Sequence, residues 1–403
     1  MTYFTLPQIE YNIRPSNLKL VCKEITNNDK KRVISLKKYL NKIKGLIDKH
    51  LAHWDNTKKF TNPYEFIHTA IPNTKNSISK IKPISRAFFK LIEIYNTHKL
   101  LPHNDLPMKS FHLAEGPGGF IEATTYLRSN KEDNYYGMTL LEDKNINIPG
   151  WNKVDFLLQK YPNIKLVSGV NKKGDLYNEN NLKYIIENHS NSMDIVTADG
   201  GFDFSTDFNK QEQVAFRLIF TQVIYALVMQ KKGGHFVLKI FDIFEDSTVD
   251  ILYLLSTFYE KIVLMKPYTS RYANSEKYVV CKNFKYDNIE DLHKKFMNIL
   301  TFFNGFDFDK YKINSILDVP IQNYYTNSIN EINSIFGHQQ IENILNTIKI
   351  ITHNDKKQEK MYNLKCQNVQ KCINWCIKND IPYSKSNISS NIFIGDRTKK
   401  KFR

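Results

Sequence analysis

Between about residue 105 and residue 285, short apolar runs alternate with longer stretches whose apolar residues recur every three or four positions. The runs at 110–114, 135–140, 164–169, 194–198, 235–241, 261–264 and 277–281 read as strands, being short, near-continuous and rich in β-branched and aromatic residues. Helical spacing fills several of the intervals, most clearly at 209–230, and a further helix precedes the first strand at 85–95, with Ala87, Phe88, Leu91, Ile92 and Tyr95 on one side. Strands alternating with helices predict a mostly parallel sheet covered on both faces, an α/β doubly wound domain. Residues 80–285 form this predicted domain. Residues 1–79 read as a mainly helical, basic extension; the 30–50 stretch carries Val33, Leu36, Tyr39, Leu40, Ile43, Leu46 and Ile47 at helical spacing between lysines. Residues 286–403 read as a second helical region, clearest at 292–303, 329–335 and 340–351, ending in a basic tail from Arg397 to Arg403.

Composition narrows the class. Hydrophobic residues make up 41% of the 403, enough for a large core. No uninterrupted apolar run reaches the roughly eighteen residues of a membrane span, and the start of the chain lacks a basic-then-apolar leader. A cytoplasmic protein without a membrane is therefore expected. Five cysteines, an odd number without a regular framework, point to a reducing compartment. Cys366, Cys372 and Cys376 share one helical face with Val369 and Ile373, so buried packing is expected there rather than a metal site. The formal charge of +16 favours a polyanionic partner, because lysine and arginine neutralise phosphates and release counterions.

The most informative local segment is Phe111-His112-Leu113-Ala114-Glu115-Gly116-Pro117-Gly118-Gly119-Phe120. An apolar strand enters a Gly-Pro-Gly-Gly turn and a helix begins after it. Glycines permit the turn and leave room for a ligand against the backbone, and in open α/β sheets this first strand-to-helix turn lies where nucleotide-like ligands bind. The spacing is neither GxGxxG nor the phosphate-binding loop with its Lys-Ser/Thr, which disfavours a dinucleotide or ATP. The segment resembles motif I of the FtsJ-like (RrmJ-type) ribose 2′-O-methyltransferases, and its Glu-Gly-Pro-Gly-Gly-Phe form is most similar to the cap-specific mRNA branch. That resemblance implies a Rossmann-like methyltransferase sheet and S-adenosyl-L-methionine as cofactor, held around Ala114, Glu115, Gly116, Pro117, Gly118, Gly119 and Phe120. His112 departs from the acidic residue many relatives carry. The Gly174-Asp175 pair after the third strand occupies the family's adenine-contacting place, which makes Asp175 the candidate there. Leu140, Glu142 and Asp143 are open alternatives for the ribose contact.

Two charged residues sit where apolar strands end. Lys239 lies within Gly234-His235-Phe236-Val237-Leu238-Lys239-Ile240, where an unpaired buried ammonium would cost several kcal/mol, so it must be paired or lie at the strand's carboxyl end. Asp199 closes the strand at 194–198, ahead of Gly200-Gly201. Lys90 on the helix before the first strand and Glu276 at the opening of the last strand complete a set that matches, in order and context, the Lys-Asp-Lys-Glu tetrad of the 2′-O-methyltransferases. Taken singly, each could be a solvent-facing lysine, a turn former or a surface ion pair. Methyl transfer to a ribose hydroxyl requires that oxygen to lose its proton. A lysine serves as base only if its pKa falls from about 10.4 toward neutrality, a change worth about 4 kcal/mol, which partial burial and a second cation favour. Lys239 is assigned as the base, Lys90 as the neighbouring charge that steers the hydroxyl, and Asp199 and Glu276 as the carboxylates that orient the lysines. Asp199 also borders the cofactor. No metal is called for.

The resemblance implies an RNA substrate. The loop and the basic regions flanking the domain favour capped mRNA and association with other capping or transcription proteins. Ribosomal or transfer RNA is the alternative substrate, and a non-catalytic RNA-binding subunit that kept the fold is the alternative from another class. Phe202, Phe204, Tyr268 and Tyr272 are aromatic residues near the edge that could stack on bases. The Asn-, Lys- and Ile-rich composition suggests a large cytoplasmic DNA virus or a protist as source, with the host cytoplasm or the virion as workplace if viral.

Overall fold

The computed structural model describes residues 2–25, 35–128, 130–142, 148–201, 210–353 and 357–384. The chain opens with β1 (Thr2–Thr5) and β2 (Leu18–Glu24), followed by helices α1 (Ser35–Gly45), α2 (Leu51–Thr61) and α3 (Ala87–His98). Strands and helices then alternate through β3 (Lys109–Leu113), α4 (Gly119–Leu127), β4 (Asn134–Met138), α5 (Asp155–Lys160), β5 (Ile164–Leu166), α6 (Glu179–His189) and β6 (Met193–Ala198). The alternation continues with α7 (Gln211–Met229), β7 (Gln230–Ile240), α8 (Asp246–Phe258) and the adjoining β8 (Tyr259–Lys266) and β9 (Lys277–Phe284). The last elements are α9 (Glu290–Gly305), β10 (Tyr311–Leu317), α10 (Asn323–Thr352) and α11 (Lys357–Lys378).

Eight strands make one sheet in the order β1-β8-β9-β7-β6-β3-β4-β5. β5, β4, β3, β6 and β7 are parallel; β9 is antiparallel to both β7 and β8, and β1 joins the far edge antiparallel to β8. All seven expected strands occur, with ends shifted by up to five residues. The doubly wound layering follows from burial on both faces. One core packs Phe111, Val196, Phe236 and Leu238 beneath α6, α7 and α8. The other packs Ile195, Val237, Tyr278 and Val280 beneath α3, α4 and α11. Helix α7 is long and apolar enough to cross a membrane, yet 78% of it is buried against the sheet, as a core helix hydrophobic all round must be.

The extensions are mainly helical as expected but also carry strands. The N-terminal segment supplies β1 to the large sheet, and β2 pairs antiparallel with β10 in a separate two-stranded sheet. Both strands are short or exposed on both sides, so neither leaves a strong apolar period. The expected pieces at 329–335 and 340–351 fuse into α10, a single 30-residue helix. Gly337 does not break it; a Cβ there would press on the Leu36 side chain at 3.2 Å, so the glycine lets α1 approach α10. Of the three cysteines on α11, Cys372 and Cys376 are buried as expected and Cys366 is half-buried, with Cys372 Sγ 3.4 Å from Pro63 O. The 26–34 stretch and the basic tail lie outside the described residues.

Candidate active site

Strand register fixes which residues meet at the edge. Leu113 of β3 stands opposite Ala198 of β6, Ala198 opposite Leu238 of β7, and Lys239 opposite Tyr278 of β9. Ala114, Asp199 and Lys239 therefore leave three adjacent strands at one level. Because β9 runs antiparallel to β7, Glu276, just before it, arrives at the same edge. From β3 the sheet grows one way through β4 and β5 and the other way through β6 and β7. This is the topological switch point, where such sheets bind ligands.

The glycine loop is shaped against this edge. Ala114 has φ +50° and Gly118 φ +116°. The Gly116 N–H donates to Thr139 Oγ1 (3.0 Å), and a Cβ on Gly116 would lie 2.7 Å from Gly150 O. A Cβ on Gly119 would run into Ser85 Oγ, which brings the loop against the start of α3. Glu115 Oε1 accepts the backbone N–H groups of Phe120 (2.6 Å) and Ile121 (2.8 Å), satisfying two orphan donors at the start of α4. Burial, with the Asp199 charge nearby, pushes the Glu115 carboxyl up to about 8 against the pull of those N–H groups. The Phe120 ring is buried and lies 6.1 Å from that of Tyr278.

The four charged residues form two pairs joined at the edge. Lys90 Nζ is 2.8 Å from the Glu276 carboxylate, whose Oε1 also accepts from Ser270 Oγ (2.6 Å). Lys239 Nζ donates to Asp199 O (2.6 Å) and stands 3.3 Å from Asp199 Oδ1, while the Tyr278 hydroxyl donates to that same oxygen (2.8 Å). Lys90 Nζ lies 5.9 Å from the Tyr278 ring centroid, so the tyrosine spans both pairs. Burial alone would raise the Glu276 carboxyl, but the charges of Lys90 and Lys239 hold it well below the usual carboxylate range. Burial and the negative charges of Asp199 and Glu276 push the Tyr278 phenol far up, so it stays a donor.

Residues 83–284 match the FtsJ-like methyltransferase family, a span that runs from just before Lys90 to just beyond Tyr278. The chain belongs to the FtsJ-like methyltransferase family. It is 32% identical over 279 residues to a cap-specific mRNA (nucleoside-2′-O-)-methyltransferase 2 of Danio rerio, covering 63% of this chain and 35% of that protein. It is 33% identical over 207 residues to a cap-specific mRNA (nucleoside-2′-O-)-methyltransferase 1 of Mus musculus, covering 50% of this chain and 24% of that protein. A third relative, the cap-specific mRNA (nucleoside-2′-O-)-methyltransferase of Autographa californica nuclear polyhedrosis virus, is 34% identical over 198 residues, covering 49% of this chain and 71% of its own length. The chain thus spans about a third or less of the length of these animal relatives.

Within the FtsJ-like domain, the other sequence-predicted residues take distinct places. Gly174 (φ +62°) packs so closely on the end of β4 that a Cβ would collide with Thr139 O, and Asp175 follows it, its Oδ1 accepting from Tyr177 N–H (2.9 Å). Thr139 therefore touches both the glycine loop and the Asp175 turn. Leu140 and Glu142 are exposed beside it; Asp143, Phe202 and Phe204 lie outside the described residues. His112 bridges β3 and β6 between Ser110 Oγ (3.0 Å) and Thr197 Oγ1 (2.8 Å), and burial lowers its pKa to about 3, which keeps it neutral. Tyr268 stacks on Tyr64 at 4.6 Å, and the Tyr272 N–H donates to Asn62 Oδ1 (3.0 Å), so this aromatic pair docks the β8–β9 loop on the N-terminal segment. Sequence reasoning missed Tyr278, Ser270 and Thr139. The signal for Tyr278 was present: strand alternation puts it on the face of Glu276, two residues earlier.

Both bonds to the loop use one oxygen of Glu115, so Glu115→Gln keeps them and removes the ionisable group. The Glu115 carboxyl titrates near 8 in the folded chain and near its ordinary value when unfolded, so its contribution is intact below about pH 4.5 and is lost as pH rises toward 8. Thermal melts should show Glu115→Gln a few degrees more stable than wild type at pH 8 and matched to it at pH 5. Equal melting temperatures at both pH values would show that Glu115 does not retain its proton in the folded state.

Proposed function

We propose that this chain is an S-adenosyl-L-methionine-dependent RNA ribose 2′-O-methyltransferase acting on a cap-proximal nucleotide of mRNA. The observation that carries the reading is the convergence of Lys90, Asp199, Lys239 and Glu276 at the switch point, beside the glycine loop. The site fits the cofactor: Ala114, Gly116 and Pro117 are half-open at the edge, a Cβ at Gly116 would press on Gly150 O and one at Gly200 on Gln222 and Ala114, so bare backbone lines the edge, and Asp175 stands beyond Thr139. When bound, S-adenosyl-L-methionine supplies a methyl group already activated on a sulfonium. Lys239 takes the proton of the ribose 2′-hydroxyl at Nζ, oriented by the Asp199 carbonyl and carboxylate. Tyr278 fixes that carboxylate with its hydroxyl. Lys90, held by Glu276, supplies the second positive charge, which steers the hydroxyl. Alignment of the hydroxyl supplies much of the remaining acceleration.

The cap assignment draws support from the named activities of the relatives and from the Glu-Gly-Pro-Gly-Gly-Phe loop; the net charge of +16 suits an RNA partner. The five cysteines are unpaired, which accords with a reducing compartment, and we place the work in the cytoplasm, with other capping or transcription proteins as partners. The deciding assay is methyl transfer from labelled cofactor to matched capped and uncapped RNA. Capped RNA should be methylated at least about tenfold faster, a difference of about 1.4 kcal/mol in the barrier. Equal rates would redirect the assignment to ribosomal or transfer RNA. No transfer to any RNA would favour a binding subunit.

A further inference from the structure

Glu93 lies one turn beyond Lys90 on α3 and is 1% exposed. Four donors converge on its carboxylate: Tyr268 N–H at 2.7 Å, Thr269 N–H at 3.2 Å, Thr269 Oγ1 at 3.0 Å and Trp375 Nε1 at 3.1 Å. Tyr268 and Thr269 begin the loop that ends in Glu276, and the next residue, Ser270, bonds the Glu276 carboxylate. Arg86, at the start of α3, grips the same residue of the loop by donating to Thr269 O (2.9 Å). Trp375 belongs to α11, outside the family-matched span 83–284. Its ring makes a T-shaped contact with Phe89, with centroids 5.9 Å apart.

Such an arrangement exceeds what packing needs. A fully buried carboxylate is costly unless hydrogen-bonded, and an apolar residue of similar size would hold α3 against the loop without that cost. What the carboxylate adds is direction, because it fixes the helix of Lys90 and the loop of Glu276 in one relative position. The α11 indole then locks the carboxylate.

We infer that Glu93 and Trp375 are positioning residues for the Lys90–Glu276 pair, and that the C-terminal helix is thereby a working part of the active site. The inference rests on the proposed methyltransferase reading for its effect on rate, and on geometry alone for its effect on Lys90. Two measurements on the full chain keep these apart. One is steady-state methyl transfer to capped RNA. The other is the rate at which an amine-reactive label modifies Lys90, with buried Lys44 and Lys277 as internal controls, read by mass spectrometry.

Trp375→Phe keeps an aromatic ring beside Phe89 and removes the indole N–H together with part of the ring volume. It should lower kcat about fivefold to tenfold, leave KM for RNA and cofactor within twofold, and speed Lys90 labelling severalfold while Lys44 and Lys277 stay protected. Glu93→Gln faces the same donors with one acceptor and one donor of its own, and should lower kcat further, about thirtyfold, with the same pattern. Unchanged Lys90 labelling in Trp375→Phe overturns the inference, as does equal loosening of all three lysines, which would mean a merely structural role. If the wild type transfers no methyl, the activity reading falls by itself, and the Lys90 labelling still decides whether the clamp exists.

Discussion

Lys239→Ala is expected to reduce methyl transfer at least about a thousandfold while leaving cofactor affinity within a few-fold of wild type. Loss of a general base costs about 10²–10⁴ in rate, and here the same change removes the charge that pairs with Asp199. Folding should survive, because the Asp199 carboxylate keeps its hydrogen bond from the Tyr278 hydroxyl. Alanine alone does not separate a base from an electrostatic role, whereas Lys239→Arg does. The guanidinium keeps the charge and the contact with Asp199 but cannot be deprotonated in a protein. If Lys239 removes the hydroxyl proton, the arginine variant should be as inactive as the alanine one in a single-turnover assay. Arginine activity above about a tenth of wild type would assign Lys239 to orientation and charge, and the base would have to be sought elsewhere.

The sheet was legible because its strands are buried on both faces. Runs such as Ile195–Ala198 and Phe236–Leu238 leave few ways to fold other than as central parallel strands, and the charged residues closing them had to lie at an edge. The switch point then brought Asp199 and Lys239 together from positions forty residues apart. Lys90 and Glu276 were less legible. Nothing in the spacing of Ser85 to Tyr95 says which face of α3 meets the sheet edge, and those two positions came from family resemblance. The parts that escaped are those whose partners are far away in sequence. β1 finds Tyr259–Lys266, β2 finds Tyr311–Leu317, and Glu93 finds Trp375 across 282 residues. Each is a short strand or a lone polar side chain, intelligible only once its partner is placed. Glu93 in particular reads as an ordinary surface glutamate on an amphipathic helix, and only packing reveals that four donors surround it.

Breaking the Lys90–Glu276 pair from one side should cost far more than removing both charges. Glu276→Ala leaves the Lys90 ammonium, 7% exposed, without its counter-ion and the Ser270 hydroxyl without its acceptor. Breaking a buried pair in this way costs about 3–5 kcal/mol. Lys90→Met should cost less, because the Glu276 carboxylate retains Ser270 and the nearby Lys239 charge. In the double variant Lys90→Met/Glu276→Gln the stranded charge is gone and the glutamine still accepts from Ser270, so stability should return to within about 1–2 kcal/mol of wild type. Urea unfolding of the wild type, Lys90→Met, Glu276→Gln and the double variant closes a double-mutant cycle, with an expected coupling of at least about 2 kcal/mol against a resolution of about 0.5 kcal/mol. Methyl transfer should not follow stability. The double variant should fold and remain at least about a hundredfold slower than wild type, because the cation that steers the hydroxyl is missing. Recovery of both stability and rate would make the pair a structural bridge only, and Lys239 with Asp199 would then have to accomplish the chemistry unaided. Stability that returns without rate separates the two roles of the pair, holding α3 to β9 and supplying a charge at the reacting oxygen.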